Sequence, residues 1–252
     1  MQKNNIELAY KENIILNLSS FDDIEHIESF YLKNKVSPKY HLKFDTGMTR
    51  LGFDLNDAEA VYESLSKPLH PYVEGVYTHF ATADEGDLSY AKKQLSDFKM
   101  VVRKVESFGL KFKFIHCSNS GAVLNLKKSY FNMVRVGMLL YGALPSNEVI
   151  DNIGIKPVMS FCGSIVNVRK VKKNTPVSYG GVYKTASDTN IAVIQTGFAD
   201  GFPRPWFENG YVIYNGEKFK IAGRVCMDQL MIDFGDVVPE LGADVLFFGE
   251  NK

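Results

Sequence analysis

The stretch YHLKFDTGMTRLGF, Tyr40 to Phe53, decides how the first half of the chain is read. Polar and apolar side chains alternate from Tyr40 to Asp45. His41, Lys43 and Asp45 face one side and Leu42 and Phe44 the other, which is the two-residue period of a β-strand. The strand runs into Asp45-Thr46-Gly47, a turn. Ala58, Val61, Tyr62 and Leu65 then recur at helical spacing. The same alternation extends to both sides. Upstream, Ile14–Leu18 reads as a strand, and Ser19 or Ser20 caps a helix with Ile24, Ile27, Phe30 and Tyr31 on one face. Downstream, Val73–His79 is a strand, and Ala91, Leu95, Phe98, Val102 and Val105 mark a long helix. Phe112–His116 and Met133–Val136 are further strands. Strand alternating with helix is the signature of parallel βαβ units.

Past Leu144 the pattern changes. Strand runs follow at Ser164–Val171, Asn190–Thr196, Tyr211–Tyr214, Lys218–Ile221, Leu230–Asp233 and Val245–Phe248, with no convincing helix between them. Asn215-Gly216 is a hairpin turn signal. The expected organisation is an α/β domain over 1–146 and a β domain over 147–252, joined through Leu144–Ile155. The α/β half holds about five strands, whereas an α/β barrel needs eight at roughly 30 residues per unit. A barrel lacking about three units, on the order of 90 residues, and a complete open doubly wound sheet both fit the periodicity.

Composition narrows the function classes. Lys+Arg and Asp+Glu are 29 each among 252 residues, so there is no basic field for non-specific nucleic-acid binding. Charged residues at 23% and hydrophobic residues at 45% describe a folded globular chain. The three cysteines, Cys117, Cys162 and Cys226, have no CxxC spacing, which argues against a zinc ribbon or disulfide framework and suits a reducing compartment. No apolar run approaches the ~20 residues of a membrane span. A cytoplasmic protein without membrane or nucleic-acid partners, and without a metal, is expected.

Four segments place polar groups where βα strands end, the edge at which barrel enzymes put their chemistry. The first is the opening stretch, in which Arg50 has the planar fork that binds carboxylates. In EGVYTHFATADE, Glu74 to Glu85, His79 ends a strand and is followed by small residues. In IHCSNSGAVLNL, Ile115 to Leu126, Ser118, Asn119 and Ser120 precede a helix, as either an anion site or an ordinary N-cap. In NMVRVGMLLYG, Asn132 to Gly142, Arg135 lies within an apolar strand and needs a partner, and Gly137 and Met138 offer backbone N–H groups. In the β half, VSYGGVY carries Tyr179, TGFADGFPR reads as a polar loop, and GRVCMDQLMIDFG places Met227 and Asp228 between strands. Taken singly, each block also fits a turn, a surface or a core.

Taken together and in order, from about His41 to Gly249, these blocks resemble alanine racemase, a fold-type III family that uses pyridoxal 5'-phosphate. The resemblance implies a TIM-like α/β barrel, here incomplete with about five of eight strands, plus a C-terminal β domain. It also implies a head-to-tail homodimer that interconverts L- and D-alanine for peptidoglycan precursor supply. Tyr179 resembles the catalytic tyrosine that reaches the partner subunit's site. Arg135 resembles the arginine at the cofactor's ring nitrogen. Ser120, Gly137 and Met138, with Asn119 adjacent, fall where the family holds the phosphate. His79 resembles the histidine stacked on the pyridine ring. Arg50 and the backbone of Met227, with Asp228 beside it, resemble the substrate-carboxylate contacts. Lys43 matches a lysine that is carbamylated in many members.

The departures are as informative. The family's imine lysine lies in a block read as K-A-[DN]-A-Y-G-H, which does not occur in this sequence, and the family continues past VLFFGENK. Phe198 stands where many members have tyrosine. The expectation is therefore a truncated or split racemase, with its β domain cut at the end and no activity alone. The alternatives are a non-catalytic binding remnant that has lost the imine lysine, a broader-specificity amino-acid racemase, and a barrel decarboxylase. Arg135 argues against the last, because related decarboxylases place a carboxylate there.

Overall fold

The computed structural model describes residues 5–149 and 153–250, so residues 150–152 of the expected joint lie outside it. Met1–Lys156 and Pro157–Lys252 are separately compact.

In the first unit, α1 (Ile6–Lys11) leads into β1 (Leu16–Leu18), α2 (Phe21–Asn34), β2 (Tyr40–Lys43), α3 (Ala58–Ser64), β3 (Val73–Tyr77), α4 (Ser89–Ser107), β4 (Phe114–His116) and α5 (Ser120–Asn125). Ser20 is the cap of α2, its hydroxyl accepting from the Asp23 N–H at 3.2 Å. The four strands are parallel and lie in chain order, β1-β2-β3-β4. Leu18, Leu42, Phe44 and Val76 share one buried core with Ile24 and Ile27 of α2, Val61 of α3 and Leu95, Phe98, Val102 and Val105 of α4. Each such side chain contributes roughly 1.5–3 kcal/mol by leaving water. The alternate positions (Asn17, His41, Lys43, Tyr77 and His116) line a cleft on the other face. Strands in unbroken order, with a helix core on one face and a polar opposite face, form a barrel-like unit. A doubly wound sheet would reverse its order at a switch point.

The fifth expected strand, Met133–Val136, shrinks to one parallel bridge, His116↔Met133, and one bond from Arg135 N–H to Ser118 O at 2.9 Å. The reason is local. The Asn132 side chain takes the ladder's place, accepting from Ile115 N–H at 2.8 Å and donating to Lys113 O at 2.8 Å. The six-residue α1, which buries Ile6 and Ala9, is too short for its period to stand out.

The second unit contains β5 (Phe161–Val171), β6 (Pro176–Val177), β7 (Tyr183–Lys184), β8 (Thr189–Ile194), β9 (Tyr211–Tyr214), β10 (Glu217–Ile221), β11 (Leu230–Asp233) and β12 (Asp244–Phe248). Six of them close a barrel in the order β10-β11-β8-β5-β12-β9, which removes free edges. Ile165, Ile194, Val212, Ile221, Leu230, Ile232, Phe234 and Val245 fill it. Asn215 (φ 49°) and Gly216 (φ 84°) turn β9 into β10 with both residues left-handed, as a two-residue type I′ hairpin requires. The β6–β7 ribbon was not foreseen, since strands of two residues show no period.

Gly75 of β3 faces His41 of β2. A Cβ there would meet the His41 ring at 2.8 Å and Phe114 O at 2.8 Å. Gly75→Ala is expected to destabilise the unit by about 1–3 kcal/mol through overpacking. In urea this reads as a lower midpoint with an unchanged slope.

Candidate active site

Arg135 is the centre of the cleft. Its Nη1 donates to His116 Nδ1 in a very short hydrogen bond. Its Nη2 donates to Thr78 O at 2.8 Å, His79 Nδ1 at 3.2 Å and Cys117 O at 3.4 Å. The Tyr77 ring lies 4.9 Å from the guanidinium carbon and stacks on His116 at 4.8 Å and 11°. Tyr77 Oη donates to Asn17 Oδ1 at 2.8 Å. A guanidinium only donates, so both histidines must accept at Nδ1 and carry their proton on Nε2. His116 Nε2–H then donates to His41 Nδ1 at 2.9 Å. This leaves the buried His41 Nε2 without a partner.

The electrostatics agree with these tautomers. Burial, reinforced by Arg135 and His41, pushes the His116 pKa down to about 3. Burial, then Arg135, Arg50 and Lys43, pushes His79 down to about 4. Burial also lowers His41. Lys43 is lowered by burial and then by Arg50, with Asp45 opposing and Arg135 adding to it. The cleft, about 420 Å³, is lined by Ile15, Leu16, Asn17, His41, Lys43, Arg50, Tyr77, His79, His116, Met133 and Arg135. It gathers three cationic side chains and no carboxylate. Among the described residues none of Lys43, Arg50 and Arg135 makes an ion pair. No cluster of His, Cys, Asp or Glu among those residues could hold a metal.

The opening stretch folds so as to deliver Arg50. Asp45 Oδ1 accepts from Gly47 N–H at 2.9 Å and Met48 N–H at 2.8 Å. Asp45 N–H donates to Phe53 O, and Phe53 N–H to Lys43 O, both at 2.9 Å. Gly52 (φ 131°) lets the returning chain close on β2, because a Cβ would lie 2.6 Å from Asp45 N. Ser118 is not at the cleft. It is buried, bonded to Ser129 O at 2.8 Å. Asn119 caps α5, accepting from Ala122 N–H at 3.0 Å and donating to Phe80 O at 3.4 Å. Ser120 Oγ accepts from Gly137 N–H at 3.0 Å, which ties the start of α5 to the loop carrying exposed Met138.

In the second unit three sequence blocks converge. Tyr179 sits in the β6–β7 loop and is 64% exposed. The neighbouring Ser178 Oγ donates to Arg224 O at 2.6 Å. Phe198 N–H donates to Cys226 O at 3.1 Å and Ala199 N–H to Met227 O at 2.8 Å. Gly197 has no room for a side chain, since a Cβ would lie 2.2 Å from Met227 O. Tyr179, Met227 and Asp228 thus lie on one cluster of mutually bonded loops.

Sequence reading missed Tyr77, Asn17, His116 and the partnership of His41. A signal existed. Tyr77 ends β3 with His79 two residues beyond it, and His116 ends β4 in the same way.

Comparison with known proteins matches residues 1–145 to "Alanine racemase, N-terminal domain" and 158–252 to "Alanine racemase, C-terminal domain". The alanine racemase of Desulforamulus reducens is 37% identical over 244 residues, covering 96% of this chain and 66% of that protein. The alanine racemase of Carboxydothermus hydrogenoformans is 42% identical over 194 residues, covering 77% and 52%. Among solved structures, the alanine racemase of Clostridium difficile 630 superposes with a TM-score of 0.90 at 33% identity, covering all of this chain and 66% of its own. The matched region therefore spans between about half and just under two thirds of the length of these relatives.

A buried neutral histidine binds its proton more readily once unfolded, so the unfolded state takes up more protons between the two pKa values. The stability contributed by His79 and His116 is present above 6.5, their ordinary value, and is lost as pH falls toward about 4 and about 3. The urea midpoint is expected to drop between pH about 6.5 and about 4.5, and the paired substitution His79→Asn/His116→Asn should flatten that slope.

Proposed function

Since the chain belongs to the alanine racemase family, we propose that it supplies the arginine and tyrosine components of a pyridoxal 5'-phosphate site that interconverts L- and D-alanine. The observation that carries this reading is Arg135, a guanidinium held by four acceptors with no acid facing it. The residues present fit the cofactor. The cleft is cationic, and Ser120 Oγ, which accepts from Gly137 N–H, keeps its own proton to donate to a phosphate oxygen, with Met138 and Asn119 adjacent. When bound, the cofactor supplies an electron sink for the substrate's α-carbon.

The chain's own residues do the rest. Arg135 would face the cofactor's ring nitrogen as a donor, and because a guanidinium keeps its proton it would hold that position without passing a proton on, which would moderate electron withdrawal. That favours rapid return of the α-proton over decarboxylation or transamination. His79, its proton fixed on Nε2 by the bond from Arg135, would hold the ring from its cleft-lining position. Arg50 takes the substrate carboxylate, and the Met227 N–H, with Asp228 beside it, does so from a second copy of the chain. The Tyr179 phenol removes or returns the proton on one face. Lys43, its pKa lowered, is more often a free amine and so open to carbamylation, which would set an anion between the cleft's cations.

Tyr179, Val182 and Met227 are an exposed apolar group on one loop cluster, 64%, 48% and 59% accessible. Such a patch fits a second copy of the chain, whose site it completes in a homodimer. No helix among the described residues is long and apolar enough to cross a membrane, in keeping with a cytoplasmic enzyme of D-alanine supply. The opposing base, the imine lysine, comes from polypeptide other than these 252 residues, because they contain no K-A-[DN]-A-Y-G-H block. The division proposed is a partial barrel over 1–146 and a β domain over 147–252.

The test is α-deuterium exchange of alanine in D2O by the racemase assembled with a segment bearing that block. Tyr179→Phe is expected to lower exchange from one enantiomer at least about 100-fold and spare the other; equal rates in variant and parent overturn the assignment. Arg135→Glu is expected to cost racemisation about 100-fold and to raise decarboxylated or transaminated product, whereas a variant that keeps both rate and product ratio overturns the role of Arg135.

A further inference from the structure

Every other inward position of α4 is apolar (Ala91, Leu95, Phe98, Val101, Val102 and Val105), yet the completely buried Gln94 stands among them. Burying an amide costs roughly 1–3 kcal/mol unless its atoms are bonded, so helix packing alone would be better served by leucine. Three of the four hydrogen bonds its amide can make are formed, and all on the loops around the cleft. Gln94 Oε1 accepts from Ala81 N–H at 3.0 Å. Its Nε2 donates to His79 O at 3.2 Å and to Thr46 Oγ1 at 3.3 Å. Thr46 Oγ1 pairs in turn with Thr78 Oγ1 at 2.8 Å, and Thr78 O accepts from Arg135. Gln94 therefore grips the peptide groups on both sides of Phe80, and through Thr46 it reaches the end of β2.

We propose that Gln94 is a positioning residue: from outside the cleft it fixes the backbone of His79, and so holds His79 Nδ1 against Arg135 Nη2. Its meaning for catalysis rests on the racemase reading above; its effect on His79 does not. With the clamp gone, the 79–81 segment is free to rotate, the imidazole leaves the guanidinium, and water reaches it. The charged groups acting on His79 are Arg135, Arg50 and Lys43, all cations. Any retreat from them raises its affinity for a proton.

The experiment is a histidine ¹⁵N NMR titration of the protein without added ligand. In the wild type His79 is expected to stay neutral with Nδ1 unprotonated until the pH nears about 4. In Gln94→Met, close in shape but unable to bond the loop, the His79 titration is expected to move up by at least about one unit. Gln94→Asn keeps the amide but falls one carbon short, and is expected to do the same. Val102→Ala on the same helix is the control: it loses stability and leaves His79 where it was. In the wild type the Gln94 amide protons are expected to be resolved and slow to exchange. Unchanged His79 titration in the glutamine variants overturns the proposal, and so do wild-type Gln94 amide protons that exchange like an exposed side chain's. Should neither variant fold, the wild-type amide protons decide. Because the titration uses neither cofactor nor alanine, it can fail while racemisation succeeds, and the reverse.

Discussion

A guanidinium with no acid beside it is the constraint from which the cleft follows. Arg135 cannot lose its proton, so every group that touches it must accept. Two backbone carbonyls do so without adjustment. The two imidazoles do so only as one tautomer, and that choice passes along to His41. Burial and the crowd of cations then keep those imidazoles neutral. Had a carboxylate stood opposite Arg135, it would have taken the guanidinium into a salt bridge, and the histidines would have been free to charge. The same arrangement fixes what Arg135 can do: hold a donor steadily at an acceptor without ever passing it a proton.

The scaffold serves that arrangement by keeping its two faces chemically separate. Along β2 and the residue after it, Leu42 and Phe44 enter the helix-side core while His41 and Lys43 enter the cleft. This division could be read directly in the alternation of YHLKFD, because a period of two leaves no other assignment. Helix positions were legible for the same reason, as in α4, where Ala91, Leu95, Phe98, Val102 and Val105 recur at helical spacing and are all buried. What was illegible has physical causes of its own. Asn132 replaces a strand's hydrogen bonds with a side chain, so an apolar run that looks like a fifth strand pairs at one bridge only. Strands of two residues, such as those around Tyr179, have no period at all.

The site shows the same division. A residue with unusual chemistry for its surroundings, such as Arg135 in an apolar run, stood out in the sequence, whereas Lys43 reads as a strand-edge charge until the family resemblance singles it out. Residues that matter through a partner did not. His116 is one histidine among five until its ring is seen between Arg135 and His41. Ser118 and Asn119 looked equivalent to Ser120, but burial and capping engage the first two, and only Ser120 lies against Gly137. Adjacent residues at a strand end point in different directions, and spacing alone does not say what each of them meets.

The charge of the cleft bears on what completes it. The chain as a whole carries 29 cationic and 29 anionic side chains, so there is no general excess of positive charge. Within the cleft Lys43, Arg50 and Arg135 are gathered without one acidic side chain, and Arg50 and Arg135 both lower Lys43. Such a cluster works against folding, since like charges repel and the acceptors that hold Arg135 are neutral groups. A ligand that brings negative charge reverses that sign: it binds the folded state alone and stabilises it in proportion to its affinity. Carboxylates and phosphate groups are ligands of that kind, a phosphate monoester carrying about −1.5 to −2 charge. The charge left in the cleft is thus matched in sign to an anionic ligand, and part of the repulsion that folding leaves there would be relieved when one binds.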